Sequence, residues 1–504
     1  MGDRARTIVR SFGMKYWVAI FNGRLKPALT RAARVAIVAA WISLTIFAVA
    51  EATAKSADTN TEFNINVNLC EHAVDDPQVR IVACTFVLNS GNIPEKEIPR
   101  VYYYRANGFT KAGQLDQALQ DLNRLINLDP TRAEAFYNRG RIYYFKHQYG
   151  RAIQNFDRAI AIFSSLNLTY RNHGTPLVSK EKLQLVISSF ALMYRNRGQA
   201  HHKKEQYQHA LRDLDQAIRI NPKDAGAYNA RGAVYDELKQ YSKAIQDFDR
   251  AIALAPDNAI YYFNRGHIDA VTGKFNRAIN YFGEAIERDP KFASAYSDRG
   301  MAYSHSGQHT RALADFDQAV RLEPGRADVY RDRAFVLNAV GRIEQAIESL
   351  GEYIQRKPNS PDIYLRRARI QLRRDRYREA ARDFETAIEI DNSFYWAISD
   401  LAWILATAPD AGQRNGTRAV KLARQAVKIK DISHNRAVLA AALAATGQFE
   451  EAVSEQQRAL EMLESAGGAD DADELRTRMR TYKINKPHRL KPGYYGPITG
   501  WTKP

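Results

Sequence analysis

Small apolar residues recur at a fixed spacing through the middle of the chain. Within one period Ala244, Phe248 and Ala251 lie three or four residues apart, which is the spacing of one helix face. A proline such as Pro256 closes the period and ends that helix. The alanine recurs every 34 residues, at Ala210, Ala244, Ala278, Ala312, Ala346 and Ala380. A glycine keeps the same step at Gly198, Gly232, Gly266 and Gly300. The pattern predicts repeated helix pairs.

This set of residues at a period of 34 resembles the tetratricopeptide repeat (TPR) family. One period fills the eight marked slots of the family with Tyr228, Arg231, Gly232, Tyr235, Ala244, Phe248, Ala251 and Pro256. Arginine stands where the family usually has leucine, and it recurs at Arg139, Arg197, Arg265, Arg299, Arg333 and Arg367. The resemblance implies an all-α fold: a right-handed superhelical solenoid of about ten stacked helix–turn–helix units.

The phase of the repeat divides the chain into segments. They are, in order, a signal peptide or membrane anchor (1–54), a helical hairpin cap (55–98), TPR units 1 and 2 (99–166), an insert (167–190), six tandem units (191–392), two degenerate units (393–465), a capping helix (466–485) and a basic Pro/Gly/aromatic tail (486–504). We interpret the insert as a lengthened helix pair with a protruding loop. We expect the tail to be disordered, or to become ordered on binding.

The net charge of +17 by itself suggests a nucleic-acid partner, but its distribution along the chain does not. Residues 1–54 contribute +6 and residues 476–504 contribute +8, so the other 421 residues carry only +3. A phosphate-binding surface needs positive charge spread along a folded face. The distribution therefore disfavours nucleic acid as a partner.

The N-terminal residues have the order of an export signal. Basic residues run to Arg34, an uncharged and mostly apolar run covers 35–50, and two small-residue patterns, Ala48-Val49-Ala50 and Ala52-Thr53-Ala54, follow. Cleavage there would release the body, whereas an uncleaved segment would anchor it. Translation could start at Met1 or Met14. In each case the prediction is export, to the periplasm or to the periplasmic face of the inner membrane.

Cys70 and Cys84 are the two cysteines of the chain. On one continuous helix they would lie about 21 Å apart, whereas a disulfide needs Cα atoms within about 7 Å. Asp75-Asp76-Pro77 between them is a turn signal, so we predict a helical hairpin closed by a Cys70–Cys84 disulfide. The disulfide fits an oxidising compartment. A metal site formed by the two cysteines and His72 is the alternative.

The resemblance also implies a concave groove, lined by the first helix of each unit, where a peptide or helix segment of a partner protein binds. The family slots place in it Asn229, Phe263, His267, Met301, Arg331, Phe335, Leu365, Arg369 and Arg373. The centre of this groove is apolar and its far end is basic. We expect Arg331, Arg369 and Arg373 to hold an acidic segment; a solvated helix face is the alternative.

Catalytic motifs are missing from the sequence. It contains no Walker loop, G-x-G-x-x-G, H-E-x-x-H or C-x-x-C pattern, and no stretch of about 100 residues is left over for a catalytic domain. We therefore predict no catalytic, cofactor or metal residues, and a non-enzymatic protein-interaction scaffold of the bacterial envelope. One alternative is a polysaccharide- or peptidoglycan-associated factor that uses the tail. Another is an accessory subunit of an envelope enzyme complex. A membrane would be contacted only through an uncleaved N-terminal segment.

Overall fold

The computed structural model describes residues 59–73, 76–172, 180–466 and 469–490, in which 23 α-helices occur and no β-strand. The chain divides into two compact bodies, residues 1–179 and residues 180–504, called here the first and the second body. The predicted signal or anchor, and the tail beyond residue 490, lie outside the described residues. No helix within the described ranges is long and apolar enough to cross a membrane.

Six α-helices form the described part of the first body. They are α1 (Thr59–His72), α2 (Pro77–Asn89), α3 (Ile98–Lys111), α4 (Leu115–Leu128), α5 (Ala133–Phe145) and α6 (Tyr149–Asn172), with a short 3-10 helix at Glu95–Glu97. α3 packs against α4 and α5 against α6, as two helix–turn–helix units do. The hairpin of α1 and α2 packs on α3 at the other end.

The predicted disulfide hairpin is confirmed. Cys70 and Cys84 are bonded with their Cα atoms 4.8 Å apart, and both side chains are buried. The Asp76 carboxylate accepts hydrogen bonds from two main-chain N–H groups and so begins α2 after the turn. The Arg80 guanidinium donates to the carbonyl oxygen of Cys70 at 3.1 Å, at the end of α1. The disulfide excludes the alternative metal site.

Replacing both cysteines with serine is expected to loosen the hairpin without unfolding the rest of the first body. A disulfide that closes a loop of this length stabilises by about 3 kcal/mol, which is roughly a hundredfold in an opening equilibrium. Hydrogen exchange of peptides from α1 and α2 should accelerate accordingly. Peptides from the second body serve as the internal control, and unchanged exchange in α1 would show that the disulfide does not hold it.

Helix pairs continue through the second body. The helices are α7 (Lys180–Lys203), α8 (Tyr207–Ile220), α9 (Ala225–Glu237), α10 (Tyr241–Leu254), α11 (Ala259–Val271), α12 (Phe275–Arg288), α13 (Ala293–His305), α14 (His309–Leu322), α15 (Ala327–Ala339), α16 (Ile343–Arg356), α17 (Pro361–Leu372), α18 (Tyr377–Ile390), α19 (Tyr395–Thr407), α20 (Gly416–Ile429), α21 (Ser433–Ala445), α22 (Phe449–Ser465) and α23 (Ala469–Lys483). Each odd-numbered helix from α7 to α21 packs on the even-numbered helix after it. The insert contributes the lengthened ends of α6 and α7, and the residues between them lie outside the described ranges.

The repeated small residues lie where the helices of one unit approach most closely. The six repeated alanines have no exposed surface. A methyl group added at Gly232 would lie 2.7 Å from the Phe248 ring, and one added at Gly266 or Gly300 would lie 3.0 Å from the equivalent phenylalanine. At Gly198 the nearest atom, of Leu214, would be 2.9 Å away. Glycine is required there by close approach, as the repeat pattern indicated.

Most of the repeated arginines bind carboxylates, whereas Arg139 donates to the side-chain oxygens of Asn155 and Asn123. Where an aspartate follows sixteen residues later, both of its oxygens accept from the guanidinium, at 2.5–2.8 Å, in the pairs Arg105–Asp121, Arg197–Asp213, Arg231–Asp247, Arg299–Asp315 and Arg367–Asp383. Arg265 and Arg333 lack that aspartate and instead pair with one sixteen residues earlier, Asp249 and Asp317. The arginine thus links the helices of one unit or ties that unit to the one before it.

Candidate functional site

The groove face of the second body contains a pocket of about 220 Å³ between α13, α15, α16 and α17, called here the groove pocket. Its lining residues are Met301, His305, Arg331, Asp332, Ala334, Phe335, Leu350, Arg366 and Ile370. The buried side chains of Leu350 and Ile370 form its apolar base. Phe335 leaves 41% of its surface exposed, so a large apolar ring remains available for contact. Three predicted groove residues, Met301, Arg331 and Phe335, thus meet in one cavity.

Two guanidinium groups border the groove pocket. Arg331 donates to Asp332 at 2.9 Å and lies 3.5 Å from Asp328. Arg366 lies 3.8 Å from the Asp362 carboxylate. Burial of Arg366 lowers the pKa of its guanidinium, and the charges of Arg331 and Arg369 add to this against the opposing attraction of Asp362. A carboxylate placed beside Arg366 would relieve this repulsion, so the pocket suits an apolar side chain next to an acidic one.

The groove face on α9 and α11 is more polar than expected. Asn229 accepts a hydrogen bond from the amide of Asn264 at 2.8 Å. His267 is half-exposed, with its Nε2 atom 3.8 Å from Asp236, and burial raises the pKa of that carboxyl group. Phe263 packs its ring 4.9 Å from that of Phe292 and is partly buried in the core. These predicted groove residues lie on first helices of their units, outside the groove pocket.

Two predicted partner-binding residues are wrong because the fold uses them internally. Leu365 is only 7% exposed and packs in the apolar core of the C-terminal units, so no partner reaches it. The Arg369 guanidinium donates to Asp400 at 2.7 Å across the gap to α19. The third basic residue, Arg373, is exposed and donates to Asn338 at 2.8 Å. The basic end of the groove is therefore less available than the sequence suggested.

The Arg369–Asp400 pair is almost completely buried. The Asp400 side chain has no exposed surface and that of Arg369 has 10%. Burial acts to raise the pKa of Asp400, but the attraction of Arg369 and of the nearby His434 outweighs it, so the pKa lies below its ordinary value. The pair joins two successive units through charges that have left water, which makes each partner dependent on the other.

The chain itself covers the groove face of α19. Residues 484–490, called here the C-terminal strap, follow the end of α23. They begin with a turn and return to α19 without helical structure. The main-chain N–H of Leu490 donates to the carbonyl oxygen of Thr407 at 2.9 Å. The Arg489 guanidinium donates to the carbonyl oxygen of Ala406 at 3.0 Å. The expected disordered tail is thus wrong for residues 486–490, because their hydrogen bonds and the buried Leu490 side chain fix them.

Aromatic packing completes this contact. The His488 ring lies 5.5 Å from that of Trp403, and the guanidinium of Arg478 lies 4.6 Å from the same ring. Trp403 stands at a groove slot of α19, in a run of buried residues from Ala397 to Thr407. The strap and α23 therefore both contact Trp403 on α19.

Docking of the C-terminal strap is expected to weaken as the pH falls below about 6.5. Burial and the neighbouring charge of Arg478, against the smaller effect of Glu474, lower the pKa of His488 to about 4. An undocked histidine has a pKa near 6.5, so between these values the undocked strap binds more protons. The docking equilibrium should fall by at most about tenfold per pH unit there.

The protection factor of the Leu490 amide, measured by NMR hydrogen exchange between pH 7 and pH 5, reports this equilibrium. The variant His488→Asn cannot titrate and should show a flat profile. The same decline in both proteins would assign the pH dependence to another group.

Family models of the tetratricopeptide repeat match the chain in both bodies. They match residues 133–165, 197–263, 263–327, 308–371, 361–394 and 436–473, and a model described as TPR repeat matches residues 106–146. The chain belongs to the tetratricopeptide repeat proteins, as the 34-residue pattern predicted. Proteins of this family bind peptide or protein partners and are generally non-enzymatic.

Individual relatives are similar to this chain only at low sequence identity or over a short segment. Hsp70-Hsp90 organizing protein 2 of Arabidopsis thaliana is 31% identical over 62 residues, which cover 12% of this chain and 11% of that protein. Yeast Tom70 is 15% identical with a TM-score of 0.33, over 84% of this chain and 95% of that one. A tetratricopeptide repeat protein from Parabacteroides merdae is 18% identical with a TM-score of 0.40, over 55% and 99%. YrrB, described as a TPR protein with an unusual peptide-binding site, is 18% identical with a TM-score of 0.33, over 37% and 95%.

Proposed function

We propose that this chain is a protein-interaction scaffold whose groove pocket binds a segment of a partner protein. The observation that carries the proposal is the cavity in which the exposed Phe335 ring and Met301 lie beside Arg331 and Arg366. An apolar side chain of the partner enters the pocket, and an adjacent carboxylate pairs with the Arg366 guanidinium. Exposed aromatic residues in pockets of this kind carry much of the free energy of binding at interfaces.

Replacing Phe335 with alanine is expected to weaken the partner at least about tenfold while leaving the fold unchanged. The matched control is Val340→Ala, because Val340 is similarly exposed, 39% against 41%, just beyond the end of the same helix. A photo-crosslinking amino acid at position 301 in the native host identifies the partner, whose affinity for each purified variant is then measured. Equal affinities for Phe335→Ala, Val340→Ala and the unchanged protein would exclude the pocket as the binding site.

We also propose that the scaffold works in the bacterial envelope. The support is the buried Cys70–Cys84 disulfide, since disulfides persist in oxidising compartments, together with the export-signal pattern of residues 1–54. Intact-mass analysis of the protein from its native host, after thiol alkylation, tests this. We expect no free thiol, and loss of residues 1–50 or 1–54 if the signal is cleaved. Two alkylated cysteines in a full-length chain would refute the envelope location.

A further inference from the structure

Asp298 on α13 places a carboxylate beside the groove pocket. It precedes Met301 of that pocket by three residues, so the two side chains lie on the same side of the helix. Within the described ranges the Asp298 side chain forms no hydrogen bond and no ion pair, whereas Asp332, one repeat later, accepts from Arg331 at 2.9 Å. The fold therefore supplies a counter-ion for Asp332 but none for Asp298.

Burial makes this unpaired carboxylate costly. Asp298 is half-buried. Burial raises the pKa of its carboxyl group against the attraction of His267 and Arg326, and the charge of Asp332 raises it further. A charge that is withdrawn from water without a hydrogen-bonded counter-ion costs free energy of folding. Since no contact of the fold offsets this cost, binding explains the carboxylate at this position better than stability does.

Both basic side chains that act on Asp298 have other partners. The Arg326 guanidinium donates to the Ser294 hydroxyl oxygen at 2.6 Å. The Nε2 atom of His267 lies 3.8 Å from the Asp236 carboxylate. The counter-ion of Asp298 therefore has to come from another molecule.

We propose that Asp298 selects partner segments that carry a lysine or arginine next to the apolar side chain in the groove pocket. The helices α13, α15 and α17 are the first helices of three successive units. Asp298 on α13 and Arg366 on α17 thus flank the unit whose Phe335 lines the pocket. A segment bound across these units carries a basic, an apolar and an acidic side chain in that order. The inference rests on the proposed function and adds the charge that the partner carries on the α13 side.

A lysine or arginine suits this carboxylate better than a metal ion does. Calcium takes about six to eight oxygen ligands, and no group of three side chains that could hold a metal ion occurs within the described ranges. An ammonium or guanidinium group brings both the charge and the N–H donors that the carboxylate lacks. Because the carboxylate is already partly withdrawn from water, the contact should contribute more than an ion pair on an open surface.

Selection from random twelve-residue peptides displayed on phage, against the immobilised full chain, tests the proposal. Enriched peptides are expected to share a large apolar residue, with lysine or arginine on one side of it and aspartate or glutamate on the other. Selection against Asp298→Asn should lose the basic position alone, and selection against Arg366→Gln the acidic position alone. Selection against Phe335→Ala should lose the apolar position.

Fluorescence anisotropy with the most enriched peptide measures the contact. Replacing its basic residue with glutamine is expected to weaken binding to the unchanged chain by about tenfold or more, and to leave binding to Asp298→Asn nearly the same. Exchanging the charges, with glutamate in the peptide and Asp298→Lys in the chain, should restore most of the affinity. Asp257→Asn is the matched control, because it removes the same charge from the exposed turn between α10 and α11 and should not alter binding.

The outcomes separate this inference from the proposed function. An apolar–acidic motif without a basic position, or equal affinities of the basic and glutamine peptides, would overturn the role of Asp298 and leave the groove pocket as proposed. Loss of every motif, or a motif that Phe335→Ala does not change, would remove the proposed function and this inference with it. Asp298→Asn should also unfold at the same urea concentration as the unchanged chain or a higher one, because its carboxylate has no partner in the fold. A lower midpoint would show that the carboxylate serves stability and would contradict the proposal.

Discussion

Replacing Asp400 with asparagine is expected to lower the free energy of unfolding of the second body by about 3 kcal/mol or more. The side chain keeps its shape but loses its charge, and the Arg369 guanidinium, 90% buried, is left without its counter-ion. Removing one partner of a buried ion pair costs about 3–5 kcal/mol, because the remaining charge stays out of water. Urea denaturation followed by circular dichroism measures the loss. Asp362→Asn is the control, since that carboxylate is 57% exposed and should change stability by less than about 1 kcal/mol.

The double variant Arg369→Met, Asp400→Leu distinguishes a buried charge from a packing defect. Because neither charge remains, most of the stability should return, as it does when buried ion pairs are replaced by apolar residues of similar volume. The depressed pKa of Asp400 gives a further test. The contribution of the Asp400 carboxylate to the free energy of unfolding is fully present above the ordinary carboxyl pKa of about 4. It is lost as the pH falls through the lower pKa that this group has in the folded protein. A double variant as unstable as Asp400→Asn would contradict the explanation.

This buried pair also shows what the sequence could not predict. Arg369 was assigned to a partner because its slot faces the groove and because many arginines surround it. Its counter-ion, Asp400, lies 31 residues away on α19 of the next unit, and the repeat phase alone does not predict that the two side chains meet at 2.7 Å. The pairs of the repeated arginines follow a regular spacing, since the step of sixteen residues from Arg231 to Asp247 recurs in several units. A search for that spacing would have revealed them.

The groove pocket and the C-terminal strap also differ in how far the sequence predicts them. Met301 and Phe335 follow from the repeat phase alone, and the structure places both in the pocket. The sequence analysis does not predict Arg366, because it lies one position after Leu365, the residue at the family's groove slot. The strap was missed because a basic segment rich in proline and glycine has the composition of a disordered tail. Its contacts with α19, among them that of the His488 ring with Trp403, are tertiary contacts that composition does not report.

Replacing Gly232 with leucine is expected to destabilise the second body by about 3 kcal/mol or more, because the new side chain has no space. Its Cβ atom alone would lie 2.7–3.1 Å from three carbon atoms of the Phe248 ring. That ring is 1% exposed and packs in the core with Ala244, so it cannot rotate away. Overpacking of a filled core costs about 1–3 kcal/mol and sometimes more. We expect the upper end here, because the leucine at position 232 and the buried Phe248 ring would need the same space. Thermal unfolding and urea titration measure the effect.

The control is Gly283→Leu in α12, where an added Cβ atom meets only the end of the Arg299 side chain, at 3.7 Å. Leucine is a better helix former than glycine by up to about 1 kcal/mol, so this variant should be as stable as the unchanged protein or slightly more stable. A second variant adds Phe248→Ala to Gly232→Leu, which vacates the space that the leucine needs, and should recover part of the loss. If Gly232→Leu and Gly283→Leu unfold at the same urea concentration, the close approach of α9 and α10 at Gly232 is not what requires glycine in the repeat.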